Sequence, residues 1–505
     1  MSDDNRMQAL LNDLAANRSA PFSPSVYETA QYLRVSGRRA VARSQIGYLL
    51  AQQRRDGLWG ADGFELIPTL SAIAGLASVP DSGPEVADAL ARASRQLWEL
   101  ALGEGGLPPL PDTVASELIA PSLVEAAGDV LRRHCPVESD GDGPVFPQPP
   151  RARPEFWASL RGLVDRGAKI PQKIWHSLEV FHPLPAEFAR SVSPAPDGAV
   201  CCSPAATAAW ASAVGPAAAR GSLPYLDEVE TRHSGAIPMG TSMPYFELLW
   251  IVNLALKYFP QNPVPQALWD ELTNAFGQSG IGGGPGLPPD GDDTAYALLA
   301  FEKSGRRTDP QVLLQFWEED HFVSYGAEQT PSETTNAHAI EYLNHVAAHR
   351  GDDAFAPVVA SCAEWLVAQQ KADGCWYDKW HISPYYATAA CVEALVGVRQ
   401  PSGPVRDAIR LARDWLLGSQ SLDGGWGVGE VSSEETAYGV LALDCLVANA
   451  PDGDDEAAKK AITLAKGFLA GAEPAPALWM GKDLYKPYRL VTAVELCGRA
   501  VASRY

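Results

Sequence analysis

Apolar residues along the chain fall into two kinds of run that alternate. Stretches such as "IGYLLAQQ", "CAEWLVAQQ" and "ARDWLLGSQ" are apolar on one helical face only. After a few loop residues come "LIPTLSAIAGL", "YYATAACVEAL" and "EETAYGVLALDCL", which keep almost no polar face. The first kind predicts amphipathic outer helices, the second helices buried on all sides. Between the two stands a recurring unit, Gln-x-x-Asp-Gly-x-Trp: "QRRDGLW" (Gln53–Trp59), "QKADGCW" (Gln370–Trp376) and "QSLDGGW" (Gln420–Trp426), with a reduced copy, "PAPDGAV", around Asp197 and Gly198. Asp-Gly suits a tight turn, because glycine takes positive φ freely and aspartate bonds its own backbone. Such helix-turn-helix units cannot bury their apolar partners singly, so they stack, and closure into toroids of helical hairpins is expected. The predicted fold class is all-α, with two α/α helical-hairpin barrels.

Inner-helix starts align at Thr294, Asn336, Thr388 and Thr436, with one hairpin between successive starts. The glycine-rich run Gly277 to Gly286 reads as the boundary between barrels. This gives an N-terminal segment over 1–44, whose helix around Ser25 to Val35 packs on the second barrel, a first barrel over 45–276, and a second barrel over 277–505.

One inner-helix start differs in kind. In "GLPPDGDDTAYALLAFEKSG", Asp290, Asp292 and Asp293 stand just before an apolar helix. Capping and the helix dipole need only one aspartate. A second Asp-Gly-Asp-Asp, at Asp452, Gly453, Asp454 and Asp455, precedes a helix with exposed lysines and reads as a solvated loop and cap. The other inner helices start without an acidic triplet, so the fold does not demand one. The first copy is expected at the mouth of something buried. Burial and like-charge neighbours hold a proton on such a group, although the helix N-terminus opposes this. A protonated carboxyl facing aromatic rings suits protonation of a carbon–carbon double bond, since the rings hold the carbocation away from water.

Composition narrows the partners. The 505 residues are 46% hydrophobic and 20% charged, as in a globular protein, with a formal charge of −21 that argues against nucleic acid and anionic membrane. The longest uncharged stretch, Gly198 to Ala219, contains Pro204 and Pro216 and makes a poor membrane span, so no stable membrane insertion is expected. The start lacks a basic-then-apolar signal, and the eight cysteines lack CxxC spacing. A cytoplasmic protein with reduced thiols is expected.

"DGDDTA" together with the three Gln-x-x-Asp-Gly-x-Trp units resembles the class II terpene cyclases, with their DxDDTA motif and QW-type repeats. "SPSVYETA", "DTVASELIAPSLVEAA", "HSLEV", "SPAATAA", "TTNAH" and "DKWHISPYYATA" are similar to bacterial diterpene cyclases of the copalyl diphosphate synthase type. The resemblance implies a βγ double barrel, with Asp292 as general acid and Asp290 and Asp293 tuning and reprotonating it. It implies a prenyl diphosphate substrate that keeps its diphosphate, held with Mg²⁺ and basic residues. No DDxxD segment of an ionising domain is present. Lys379 and Lys482 are the lysines expected to reach the diphosphate, and Trp380, Tyr385 and Tyr386 are candidates for the cavity wall. His176, in "HSLEV", is the candidate base.

Two departures stand out. Where plant enzymes of the family pair this histidine with an asparagine, the chain has Met239 in "GAIPM", which breaks the dyad. The acidic Mg²⁺ motif is degenerate, with only Glu104 and Asp112 nearby, so the metal ligands stay unassigned. The reading is bicyclisation of geranylgeranyl diphosphate to a copalyl-type diphosphate, with farnesyl diphosphate to a drimenyl-type product as alternative. A squalene/hopene-type cyclase and a non-catalytic helical-repeat scaffold are the lesser rivals. A homodimer is left open.

Overall fold

The computed structural model describes residues 2–19, 21–137, 144–240, 243–326, 328–351, 353–450, 455–471 and 476–505. Two separate hydrophobic cores organise them, each inside a closed ring of inner helices.

In the first ring the helices Val26–Val35, Leu66–Ala77 and Ser116–Arg133, the 3-10 helix Gln172–Phe181 and the helix Pro204–Val214 each pack on the next, and the last returns to the first. In the second ring six helices do the same: Pro244–Tyr258, Gly291–Lys303, Glu333–Arg350, Pro384–Val396, Ser433–Asn449 and Tyr488–Ala502. Amphipathic helices such as Pro84–Leu102 and Gly403–Gly418 form the outer layer.

The repeated unit has the same geometry in all three copies. Each tryptophan indole donates to a carbonyl in the last turn of the preceding outer helix: Trp59 to Leu49 at 2.6 Å, Trp376 to Leu366 at 2.7 Å, Trp426 to Leu416 at 2.9 Å. Its backbone N–H donates to the threonine of the following inner helix, Thr69, Thr388 or Thr436. The glutamine amide bridges its own turn to the next outer helix, as Gln370 does at Gly374 and Ala408 and Gln420 at Gly424 and Ala461. Seven residues thus join an outer helix, an inner helix and the next hairpin, and satisfy carbonyls that a helix end leaves open.

The expected domain limits need two corrections. The helices Pro244–Tyr258 and Gln266–Ala275 belong to the second core, so the cores divide near residue 240, well before 276. The helix Val26–Val35 closes the first ring, and it is the preceding helix Asp3–Ala16 that packs on the second, through Met7, Leu11 and Leu14. The glycine run Gly277 to Gly286 lies inside the second barrel, and its Gly283 lines a cavity.

Among the described residues no helix is long and apolar enough to cross a membrane, and every described cysteine is a free thiol. Of the second Asp-Gly-Asp-Asp copy, Asp452, Gly453 and Asp454 lie outside the described residues. Asp455 caps the helix that follows it, accepting from Ala458 N–H at 3.1 Å, and pairs with Arg413.

Candidate active site

The cavity between the two barrels has a volume of about 530 Å³, within the range of pockets that enclose a small molecule. Its buried end is lined by Asp290, Asp292, Asp293, Trp250, Trp479 and Tyr485. Its solvent-facing end is lined by Arg153, Phe156, Lys173, Gln329 and Thr330.

The acidic triplet reaches this position because glycines let the backbone around it pass close to neighbouring carbonyls. A Cβ on Gly282 would lie 2.3 Å from the Pro288 carbonyl oxygen, and one on Gly291 would lie 2.3 Å from that of Val323. The backbone therefore turns tightly and starts the Gly291–Lys303 helix against the cavity. Asp290 is its N-cap, accepting from Asp293 N–H at 2.8 Å, so the capping role is real for this one aspartate. Serines do that work at Ser332, Ser383 and Ser432, where three other inner helices of this ring begin.

All three carboxyls are buried. Burial pushes Asp290 up to about 7, against its hydrogen bonds with Asp293; Tyr325 OH also donates to its Oδ2 at 3.3 Å. Burial and then the charge of Asp290 push Asp293 well above the carboxylate range. These two hold a proton between them near neutral pH. Asp292 is the member bonded elsewhere, with its Oδ1 2.6 Å from His338 Nδ1. The His338 ring is held by Tyr296, with centroids 3.9 Å apart, and by the edge of Trp250 at 5.5 Å. His338 is the residue that sequence reasoning missed. "TTNAH" was noted as a resemblance, but nothing in spacing says that its histidine faces residue 292 across the ring.

The wall beside the acids is aromatic. Trp250 lies 4.7 Å from Phe246 and 4.5 Å from Tyr296, and Trp479 lies 5.2 Å from Phe246. Rings this close present π faces and edges to whatever occupies the cavity.

His176 and Met239 both line the cavity. His176 Nδ1 lies 2.6 Å from the Cys201 carbonyl oxygen, which can only accept, so Nδ1 carries the proton and Nε2 keeps its lone pair. Burial and then the nearby Lys482 charge push its pKa down to about 3, so the ring is neutral at ordinary pH. Met239 packs its Sδ and Cε over Gly481, which makes this side of the wall apolar.

At the open end Lys379 pairs with Glu328 and donates to the Thr330 carbonyl at 2.8 Å, while Lys173 donates to that of Gly326 at 3.1 Å. Trp380 also lines the cavity, as does Asp112, whereas Glu104 sits in an exposed surface turn. Glu117 joins Asp112 there; its carboxyl is raised by burial, with Asp112 adding to the shift and Arg153 opposing it. Among the described residues no cluster of three or more His, Cys, Asp or Glu side chains is arranged to hold a metal ion by itself.

Two expected contacts are corrected. Lys482 does not reach the cavity. Its ammonium is fully buried in the first barrel, 2.8 Å from Glu28 Oε1, 2.7 Å from Glu179 Oε1 and 2.8 Å from Ser203 Oγ. Its neighbours Met480 and Gly481 line the cavity instead. Tyr385 packs outward on Trp415 of the outer helix, with centroids 4.8 Å apart. The 100° step along a helix turns the next residue, Tyr386, inward, where its OH accepts from the Trp250 indole at 3.1 Å.

Residues 322–445 match the profile of the squalene-hopene cyclase C-terminal domain. The chain is 57% identical to the terpentedienyl-diphosphate synthase of Kitasatospora griseola over 98% of its length and 100% of that relative. It is 37% identical to an ent-copalyl diphosphate synthase of Streptomyces sp. (strain KO-3988), over 98% of its length and 95% of the relative. The solved structure of ent-copalyl diphosphate synthase from Streptomyces platensis superposes with a TM-score of 0.88 at 34% identity, covering 99% of both chains.

Proposed function

The chain belongs to the class II terpene cyclases, and from that membership we propose that it closes geranylgeranyl diphosphate to a bicyclic, copalyl-type diphosphate. The observation that carries this reading is one cavity with two unlike ends. A buried, histidine-held carboxyl stands against aromatic rings, and cations stand at the solvent-facing end.

In this assignment the terminal alkene lies at the buried end and takes the proton of Asp292 on its inner CH carbon, leaving a tertiary cation on the outer, dimethyl-bearing carbon. Two successive alkenes attack in turn and close two rings. The bicyclic cation ends by losing a proton, so the product is an isomer of the substrate and the carbon–oxygen bond to diphosphate is never broken. A hydrogen bond from His338 holds the Asp292 carboxyl in place and stays with the carboxylate left behind. The proton held by Asp290 and Asp293 then restores Asp292 for the next turnover. Trp250, Trp479 and Phe246 face the cation and exclude water.

Arg153, Lys173 and Lys379 supply the charge that a diphosphate needs at the open end. Asp112 and Glu117 are the carboxylates that would hold Mg²⁺, an ion that usually keeps several waters and is bound by one or two carboxylates together with substrate phosphates. Bound there, Mg²⁺ would screen the diphosphate charge. Replacing Arg153 or Lys173 with Ala is expected to raise KM by about tenfold with a smaller change in kcat, since these contacts act on ground and transition states alike.

His176 is a neutral base on the cavity wall beside Met239, and it acts without an amide partner. Replacing it with Ala is expected to change the product, giving a hydroxylated or rearranged bicycle, more than it lowers the rate. An unchanged product at an unchanged rate would assign His176 to packing alone.

The deciding experiment incubates the protein with Mg²⁺ and geranylgeranyl or farnesyl diphosphate, dephosphorylates, and identifies the alcohols by mass spectrometry. A bicyclic twenty-carbon alcohol that appears only after phosphatase treatment is the expected result. Turnover of farnesyl diphosphate alone would replace the substrate, and hydrocarbon released without phosphatase would refute retention of the diphosphate.

A further inference from the structure

Behind the aromatic wall lies a buried acid that no step above employs. Glu434 stands in the first turn of the Ser433–Asn449 helix and is fully buried. It does not cap that helix. Ser432 is the cap, and it is the neighbouring Glu435 that bonds Ser432 Oγ at 2.7 Å and Val428 N–H at 3.0 Å. Glu434 Oε1 instead accepts the indole N–H of Trp479 at 2.9 Å, and His381 Nε2 lies 3.3 Å from the same oxygen.

The protonation of His381 follows from its other nitrogen. Ser383 N–H donates to His381 Nδ1 at 3.1 Å, and a backbone amide can only donate, so Nδ1 is bare and the ring is neutral with its proton on Nε2. His381 therefore meets Glu434 as a neutral N–H donor, so Oε1 accepts two N–H bonds, and among the described residues no Lys or Arg forms an ion pair with it. Its second oxygen, Oε2, is buried without a hydrogen-bond partner. A buried carboxylate left half satisfied is costly and calls for a reason.

The backbone holds this arrangement in place. Ile382 N–H donates to the Leu478 carbonyl and Met480 N–H to that of Trp380, both at 2.9 Å, which sets His381 beside Trp479. The two rings meet edge to face, with centroids 4.9 Å apart. Trp479 is therefore clamped by its N–H on one side and lines the cavity on the other.

We propose that Glu434 is a positioning residue that acts through Trp479, fixing the indole and placing a negative charge behind it, so that the ring attracts the cyclising cation more strongly. A carboxylate bonded to an indole N–H pushes electron density onto the ring, and in a dry wall its charge adds to the pull of the π face. Glu434 touches no substrate atom. The proposal rests on the carbocation reaction assigned above.

Glu434→Gln tests it, because the amide oxygen still accepts from Trp479 while the charge is gone. Two probes are compared by competition: a geranylgeranyl diphosphate analogue with a tertiary ammonium nitrogen in place of the cationic carbon, and its uncharged carbon counterpart. In Glu434→Gln the ammonium probe is expected to bind about tenfold more weakly and the uncharged probe to be unchanged, with kcat falling about tenfold and KM within about twofold. In a Trp479→Phe background the same substitution should add less than about a twofold loss. Should Glu434→Gln fail to fold by circular dichroism, Trp479→Phe, which keeps a ring and loses the N–H, is expected to weaken the ammonium probe selectively. Equal losses for both probes, an unchanged kcat in Glu434→Gln, or additive effects in the double variant would overturn the proposal. If the wild-type protein does not turn over geranylgeranyl diphosphate, it is the assigned reaction that fails, and the probes report on Glu434 separately.

Discussion

Asp292→Asn is expected to lower turnover by at least about 10³-fold, at the upper part of the range for a single general acid, because here the proton initiates the reaction. The amide keeps the shape and the approach of His338, so helix content and melting should match the wild type. Asp455→Asn is the matched control. Asp455 caps a helix and pairs with Arg413 in the outer layer; asparagine keeps the cap and loses only the ion pair, so stability is expected to fall by no more than about 1 kcal/mol and turnover to stay unchanged. The acid also predicts a direction with pH. Asp290 is pushed up to about 7 and Asp293 is raised with it, so the pair holds its proton below that pH and loses it above. Turnover should therefore decline as pH rises through about 7, with substrate binding following a different profile. Full activity in Asp292→Asn, or equal loss in both variants, would refute the assignment.

Lys482→Met is expected to cost about 3–5 kcal/mol of stability, read from denaturant melts. Lys482 sits between Glu28 and Glu179 with nothing exposed, and burial of its ammonium is outweighed by those two charges, which leaves its pKa raised. Removing it leaves two carboxylates facing each other in the first barrel, where burial already raises Glu28. Because Glu28, Glu179 and Ser203 come from the first barrel and Lys482 from the second, the loss falls on the seam that forms the cavity. Adding Glu28→Gln to Lys482→Met should recover part of the stability. A single variant within 1 kcal/mol of wild type would show that the cluster is not structural.

These two predictions mark where the sequence could be read and where it could not. The acid was legible because its signal is local: three aspartates, a helix start and an apolar run within one short stretch. The repeats were legible for the same reason, since each is a turn that bonds to helices directly before and after it. Lys482 was not. It stands 303 residues from Glu179 and 454 from Glu28 along the chain, and no local pattern reports such a partner. His338 and Glu434 escaped likewise, since each acts on a residue about one hairpin away across the ring. The glycine run misled for a physical reason. Glycines mark both flexible joints and close backbone approach, and Gly282, whose Cβ would meet the Pro288 carbonyl, is of the second kind.

The two-core construction bears on how such an enzyme changes through descent. The acid, its histidine and Trp479 belong to the later core, whereas His176, Lys173 and Arg153 come from the earlier one. On the roles proposed above, starting the reaction and finishing it are inherited on different stretches of chain. Substitutions that redirect the cation's last step can accumulate in one half while the initiating proton is left alone. Chimeras joined near residue 240 between this chain and its relatives should follow the acid parent in whether they react, and the other parent in what they release.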